Sequence, residues 1–442
     1  MSSKLSLTLL FSFLLVFGQV SYGKTNTEQL SRTAVSANPA ESAPAIAQLR
    51  AMGPAGLEVL FQAYSQEIER QVRNPLLGST PEWQRLSAAL DAVSQQKDSY
   101  LSQLYWYTDF GGAKSAAQSS GKPIISLRLL GKLDEEFSCA NSRFFRTVLY
   151  SNAEVSKVLR ERFILHWESV RPAPHVVIDF GDGRKLERTL TGNSIHYILD
   201  QDGQMLEALP GLYGPQAFLR SLEQIEKVFA ETMKMDRSDR MLRLSAYHRS
   251  RLGAINAAWL DDIQTTGGTV PKGFTVVRDD NGSPAAIQIA SLAVTKMVTE
   301  ASILKSMIAS GEALAGVTDQ DAWTRIAMLH LSDAELDARS IGLIRRQTRR
   351  LVPEEGSEKA AEEILASLLK KLQMNIALDT VRNEYLMHTK LYTWLFGDRN
   401  RDVAALNKKV YSELFLTPAA DPWLGLFSID TYMALENGGI VR

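Results

Sequence analysis

Cysteine is almost missing: one residue, Cys139, in a chain of 442. A lone thiol cannot close a disulfide within the chain, so packing alone must hold the fold. Histidine is scarce as well, six residues in all, with no His-Glu-x-x-His pair to seat a zinc ion. An excess of one charge is also lacking. The 49 Lys and Arg meet 50 Asp and Glu, a formal net charge of -1, which removes the electrostatic footprint of a nucleic-acid binder. There is no Walker A loop, no GxGxxG after a strand, no GxSxG and no CxxCH. Their absence argues against a nucleotide enzyme, an α/β-hydrolase and a c-type cytochrome, and no cofactor is called for. What is present is ordinary globular material, 45% hydrophobic and 22% charged, enough for sizeable cores. At roughly 150 residues per domain the length suggests two or three domains.

Residues 1–23 read as a secretory signal peptide. Lys4 supplies a positive start, and Leu5 to Val16 an apolar stretch too short to span a bilayer comfortably. Ser21 and Gly23 are the small residues of a cleavage site. A later apolar stretch, 284–317, is interrupted by Lys296, Glu300, Lys305 and Glu312. The protein is therefore expected to be exported, periplasmic or secreted, with no integral membrane segment in its mature part. Residues 24–44, rich in Ser, Thr, Ala, Pro and Asn, read as a flexible leader.

The rest of the chain suggests an α+β multidomain protein: an α/β domain flanked by all-helical regions. Residues 45–104 carry helical signals. Gly53-Pro54 separates two helices, and Thr80-Pro81 is an N-cap and first position for a third that runs to about Leu104. Over 105–231 strands alternate with helices. Lys122 to Leu130 is an apolar strand, and Cys139 to Tyr150 and Asn152 to Arg162 are helical. Gly181-Asp-Gly183 sits between two strand-like runs and marks a hairpin. Residues 232–442 read as an all-helical C-terminal domain. Ser332-Asp-Ala-Glu335 reads as a capping box opening one helix. Arg345, Arg346, Arg349 and Arg350 complement the dipole at its end, with an anionic-ligand patch as the rarer reading. Ser357 to Phe396 is one long helix or two abutting ones.

Several motifs in 105–231 occur in a telling order. Tyr105-Trp106 and Asp109 precede a helix with Ala113, Ala116 and Ala117. Gly121-Lys-Pro-Ile-Ile125 enters a central strand. Cys139-Ala-Asn-Ser142 opens the next helix, and Leu199-Asp-Gln-Asp-Gly203 joins the last two strands. Gly211, Phe218, Leu219 and Leu222 mark a terminal helix. In this order they resemble the thioredoxin-like superfamily, particularly its larger exported bacterial members, over about 130 residues.

The resemblance implies thiol chemistry at Cys139, where a helix N-terminus favours the thiolate. Ser142 stands where a resolving cysteine would be. Its hydroxyl can donate a hydrogen bond but cannot resolve a mixed disulfide, so a dithiol cycle within this chain is impossible. Ser138 would cap the helix. Ser194 stands at the position of the family's cis-proline and would form part of the docking backbone. Phe137-Ser138 replaces the usual Trp, and Asp134, Glu135 and Glu136 oppose a low thiol pKa.

Two functions follow. One is monothiol, mixed-disulfide chemistry through Cys139 with an external thiol. The other is a redox-inactive thioredoxin-like scaffold that binds a protein partner. For Cys139 itself an inert, half-buried small residue, a reactive monothiol and a metal ligand all stay open. Other candidates carry plainer alternatives. Glu384 and His388, four apart, could share a metal or an intrahelical hydrogen bond. His196 could tune Cys139 or be structural, and His166 ends a strand. Asp421-Pro-Trp-Leu-Gly425 reads as a turn pinned by a buried Trp423.

Overall fold

The computed structural model describes residues 26–189, 192–270, 310–348, 358–397, 402–418, 420–423 and 434. The expected signal peptide lies outside them, as do Arg349, Arg350 and most of the interrupted apolar stretch. The fold is α+β: mostly helical, with one small mixed sheet and a separate hairpin. No helix of the described residues is long and apolar enough to cross a membrane.

The N-terminal helices are α1 (26–34), α2 (Pro39–Ala51), α3 (Pro54–Ala63), α4 (Ser65–Arg73), α5 (Pro81–Ser94) and the short α6 (Ser99–Ser102). Gly53, at φ +68°, makes the left-handed turn that parts α2 from α3. Thr80 accepts from the Trp83 N–H at 3.2 Å, and Pro81 follows as expected. The helix ends sooner than residue 104, at Gln95, whose φ of +60° breaks the repeat. The stretch expected as a flexible leader is helical from residue 26. Its polar residues have structural work. Asn38 caps α2 on the Ala40 N–H at 3.1 Å, and the buried Ser31 hydroxyl donates to the Thr27 and Glu28 carbonyls.

A five-stranded sheet follows, built from β1 (Trp106–Tyr107), β2 (Ile124–Leu130), β3 (Ile164–Arg171), β6 (Ser194–Leu199) and β7 (Met205–Pro210). Its order is β1-β3-β2-β6-β7. The first three strands are parallel, and β6 and β7 join antiparallel. β2 lies in the middle and is buried except at Arg128, which explains its nearly unbroken apolar run. Helices α7 (Phe110–Ser120), α8 (Ala140–Phe144, continuing as a π turn over Phe145–Leu149) and α9 (Ala153–Arg162) make the crossovers. The hairpin β4 (His175–Asp179) and β5 (Lys185–Thr189) forms a two-stranded sheet of its own. α10 (Pro215–Thr232) closes this part.

Beyond it come α11 (Arg237–Thr265), α12 (described over 310–317), α13 (Gln320–Leu329) and α14 (Ala338–Thr348). α15 (Glu358–Arg382) continues through a π turn (Asn383–His388) into α16 (Thr389–Gly397). α17 (Val403–Lys409) runs into a last π turn (Val410–Leu414). The expected capping box does not start a helix. Ser332 lies in a 3-10 turn, and α14 begins after Asp337, which accepts the Ser340 N–H at 2.9 Å. Asp333 is drawn instead into a bidentate pair with Arg220 of α10, at 2.6 and 2.7 Å.

One apolar core extends from Leu104 through the sheet to Phe415, so the sheet and the C-terminal helices share their packing. A second core gathers residues 34 to 101 and takes in Leu343 of α14. Arg346 fastens α14 to that second core. It donates to the Gln71 carbonyl at 3.1 Å, the Pro75 carbonyl at 3.0 Å and the Tyr100 hydroxyl at 3.1 Å. Of the basic cluster, Arg346 is thus a tie between helices, and Arg345 pairs with Glu362 at 2.8 Å.

Candidate functional site around Cys139

β2 ends at Leu130, and Gly131 turns the chain at φ +75°. A Cβ at that position would stand 3.1 Å from the Ser138 backbone. The loop returns so that the Cys139 N–H donates to the Leu130 carbonyl at 3.2 Å. Cys139 is therefore fixed at the end of the central strand, as the N-cap of α8. Its sulfur accepts the Ser142 N–H at 3.4 Å and points its S–H toward the Asn193 carbonyl at 4.0 Å. The thiol is fully buried. Burial pushes its pKa up; the N–H groups of the helix start and the Arg143 charge pull the other way and do not overcome it.

The structure brings Ser142 and Ser194 close to Cys139 but gives their side chains other work. The Ser142 hydroxyl donates to Ser138 at 2.8 Å, so the thiol receives the Ser142 backbone N–H and not its hydroxyl. Ser194 accepts from the Asn141 amide at 3.0 Å, and its carbonyl takes the Gly211 N–H at 2.8 Å. Among the described residues no peptide bond is cis. The carbonyl facing the sulfur belongs to Asn193, and it is already occupied: the Tyr411 hydroxyl donates to it at 3.2 Å. The Asn193 amide in turn donates to Thr417 at 2.9 Å. On the hairpin side, Thr189 donates to the Ser138 carbonyl at 3.1 Å and accepts from Arg143 at 2.6 Å. The C-terminal segment and the hairpin base thus close over the Cys139 end of the sheet.

The histidines serve elsewhere. His196 takes the Tyr150 hydroxyl on Nε2 at 2.7 Å amid Phe145 and Phe218, while its Nδ1 has no partner among the described residues. Burial pulls it down to about 3. His166 bonds Ser126, its cross-strand neighbour, at 2.8 Å and is pulled down to about 4, by burial first and the Arg128 charge second. Glu384 and His388 do not pair with each other; both lie in the π turn and each meets a residue of a distant element. Glu384 meets Arg251 at 3.4 Å, and His388 meets Glu207 of β7 at 3.2 Å. Glu207 also accepts from Tyr392 at 2.9 Å and from the Ala208 N–H. Burial, the largest influence, would raise its carboxyl; the His388 contact, His248 and the Ala208 N–H together outweigh it and hold it at about 2. Among the described residues no group of three or more His, Cys, Asp or Glu is placed to hold a metal.

Three features escape sequence reading. Glu207 sits in an apolar strand, and only its charge there hints at a buried partner. His330 lies between Asp262 at 2.7 Å and Asp333 at 3.6 Å, and these hydrogen bonds raise it to about 9. A cleft of about 350 Å³ opens between the 200–204 turn and the first turns of α11, where Arg240 meets the buried Asp200 at 2.6 Å. It lies at the far end of β6 from Ser194. Trp423 was expected to be buried but is 45% exposed. Its turn is held by Arg171, which donates to the Asp421 and Pro422 carbonyls. Leu424 and Gly425 lie outside the described residues. Comparisons with family models, curated proteins and solved structures found no match for this chain.

Proposed function

We propose that this chain is a redox-inactive, thioredoxin-like scaffold that binds a protein partner. One observation carries the reading: Cys139 is buried, and the Asn193 carbonyl that faces it is taken by Tyr411. A functional thiolate needs access and a lowered pKa, and burial works against both. Support for the thioredoxin-like part comes from placement. β2 is central, the following helix opens at Cys139, the 200–203 turn joins the last two strands, and α10 ends the unit. An exported setting, periplasmic or secreted, belongs to the same proposal and rests on residues 1–23.

Monothiol chemistry with an external thiol is the second reading. The Ser142 N–H on the Cys139 sulfur favours it, being the contact by which a helix start stabilises a thiolate. Iodoacetamide labelling of the folded protein separates the two. The scaffold reading expects labelling about a hundredfold slower than that of a free thiol, as for a group exposed only by local opening costing a few kcal/mol. Full labelling after denaturation completes that result. Fast native labelling with an apparent pKa below about 8.5 would establish the monothiol reading instead.

A further inference from the structure

We propose that the outer edge of β4 is a self-association edge: two copies of the chain pair antiparallel about Val177, joining two hairpins into one four-stranded sheet. This inference is independent of the thioredoxin-like reading and of any chemistry at Cys139.

The hairpin has a strand edge with no strand beside it among the described residues. A two-stranded hairpin alone is marginal in water, and β4–β5 is not part of the main sheet. Val177 is 55%, Ile178 45% and Phe180 55% exposed. The edge also lacks the usual protection, since the β4 sequence His-Val-Val-Ile-Asp contains neither Pro nor Lys.

The β4 edge is complementary to itself. A two-fold centred on Val177 sets Val176 of one copy against Ile178 of the other, and His175 against Asp179. Within each hairpin Asp179 already stands opposite Lys185, with the ammonium 3.1 Å away, and His175 opposite Thr189. The combined row across four strands reads Lys185, Asp179, His175, Thr189, so the Asp179 carboxylate stands between Lys185 of its own hairpin and the His175 ring of the other copy. His175 is held in place, its Nδ1 3.2 Å from Glu187 and its Nε2 3.2 Å from the Phe137 carbonyl. Opposite charges and apolar pairs facing across strands each stabilise a sheet, and like charges destabilise it.

The β5 edge is poorer. Its middle residue is Glu187, and two-fold pairing about it would put two carboxylates side by side. Sliding the centre to Leu186 would set Arg184 against Arg188. The occupant of the β4 edge is therefore a second copy, held in one register. Five residues a side fall well short of the roughly 1,200 Å² of a stable interface. Association is accordingly expected to depend on concentration.

Sedimentation velocity on the full chain, from low micromolar to several hundred micromolar, tests this. The expected result is a monomer–dimer equilibrium that Val177→Lys abolishes by placing two ammonium groups at the two-fold. Circular dichroism of that variant should stay unchanged, because the site is exposed. A second measurement uses Val177→Cys in a Cys139→Ala background. Antiparallel neighbours at the two-fold lie about 4.5–5.5 Å apart at Cα, within disulfide range. Mild oxidation should cross-link Val177→Cys and leave Leu186→Cys as monomer. A chain that stays monomeric throughout, or a dimer that survives Val177→Lys and cross-links at Leu186→Cys, overturns the proposal.

Discussion

Tyr411 donates its hydroxyl to the Asn193 carbonyl at 3.2 Å, the carbonyl that the Cys139 thiol faces. A residue from the last helical turn therefore binds the backbone carbonyl beside the thiol. Tyr411 and Cys139 are 272 positions apart by their numbers (411 − 139), and only packing of the C-terminal segment against β6 brings them together.

Tyr411→Phe should loosen that cover. Removing one buried hydrogen bond costs about 1 kcal/mol, or about fivefold in an opening equilibrium. Native alkylation of Cys139 should speed up by about that factor. An unchanged rate would mean that another element controls access to the thiol.

Glu207 of β7 and His388 of the π turn meet in a buried contact at 3.2 Å. His388→Ala strands the Glu207 carboxylate and should cost about 3–5 kcal/mol in urea unfolding. The double variant Glu207→Leu/His388→Leu should cost clearly less, because no buried charge is then left unpaired. Equal losses would mean that the cavity, not the charge, dominates.

The three histidines with shifted pKa values by themselves favour a stability maximum near pH 6.5. His196 and His166 are depressed to about 3 and about 4, so below the unfolded value of about 6.5 only the unfolded chain takes up their protons. Between pH 6.5 and 5 their stabilisation falls by up to about 2.7 kcal/mol per pH unit for the two sites. His330 is raised to about 9, with the opposite sign. Its contribution is complete below pH 6.5 and is lost as the pH rises through 9. Chemical denaturation from pH 5 to 9 should trace this dome, and His196→Gln should remove about half of the acid slope.

Gly211 takes φ +79°, and a Cβ there would stand 2.6 Å from the Asn383 amide. That amide donates to the Leu212 carbonyl at 2.7 Å. Gly211→Ala should therefore destabilise by about 2–3 kcal/mol, combining backbone strain with a displaced hydrogen bond. A melting temperature equal to that of the parent would show that the π turn yields at little cost.

Local periodicity and turn chemistry made much of the fold legible. The Thr80-Pro81 start, the apolar β2 and the Gly181-Asp-Gly183 hairpin each act over a few residues, so the sequence alone determines them. Cys139 at the head of a helix was legible for the same reason. What misled was chemistry with two outlets. Ser and Asn in residues 26–38 signalled disorder but serve as caps and back-bonds. Ser332-Asp-Ala-Glu335 carried the pattern of a capping box, yet Asp333 is claimed by Arg220 from a distant helix. Glu384 and His388 have the spacing of a pair on a regular helix, yet Arg251 and Glu207 from distant elements claim them instead. Whether Cys139 is open or sealed, and which charge each buried histidine meets, depends on contacts between segments far apart in sequence. Burial of charge and access to a thiol are properties of the packed surface, and only the tertiary structure decides them.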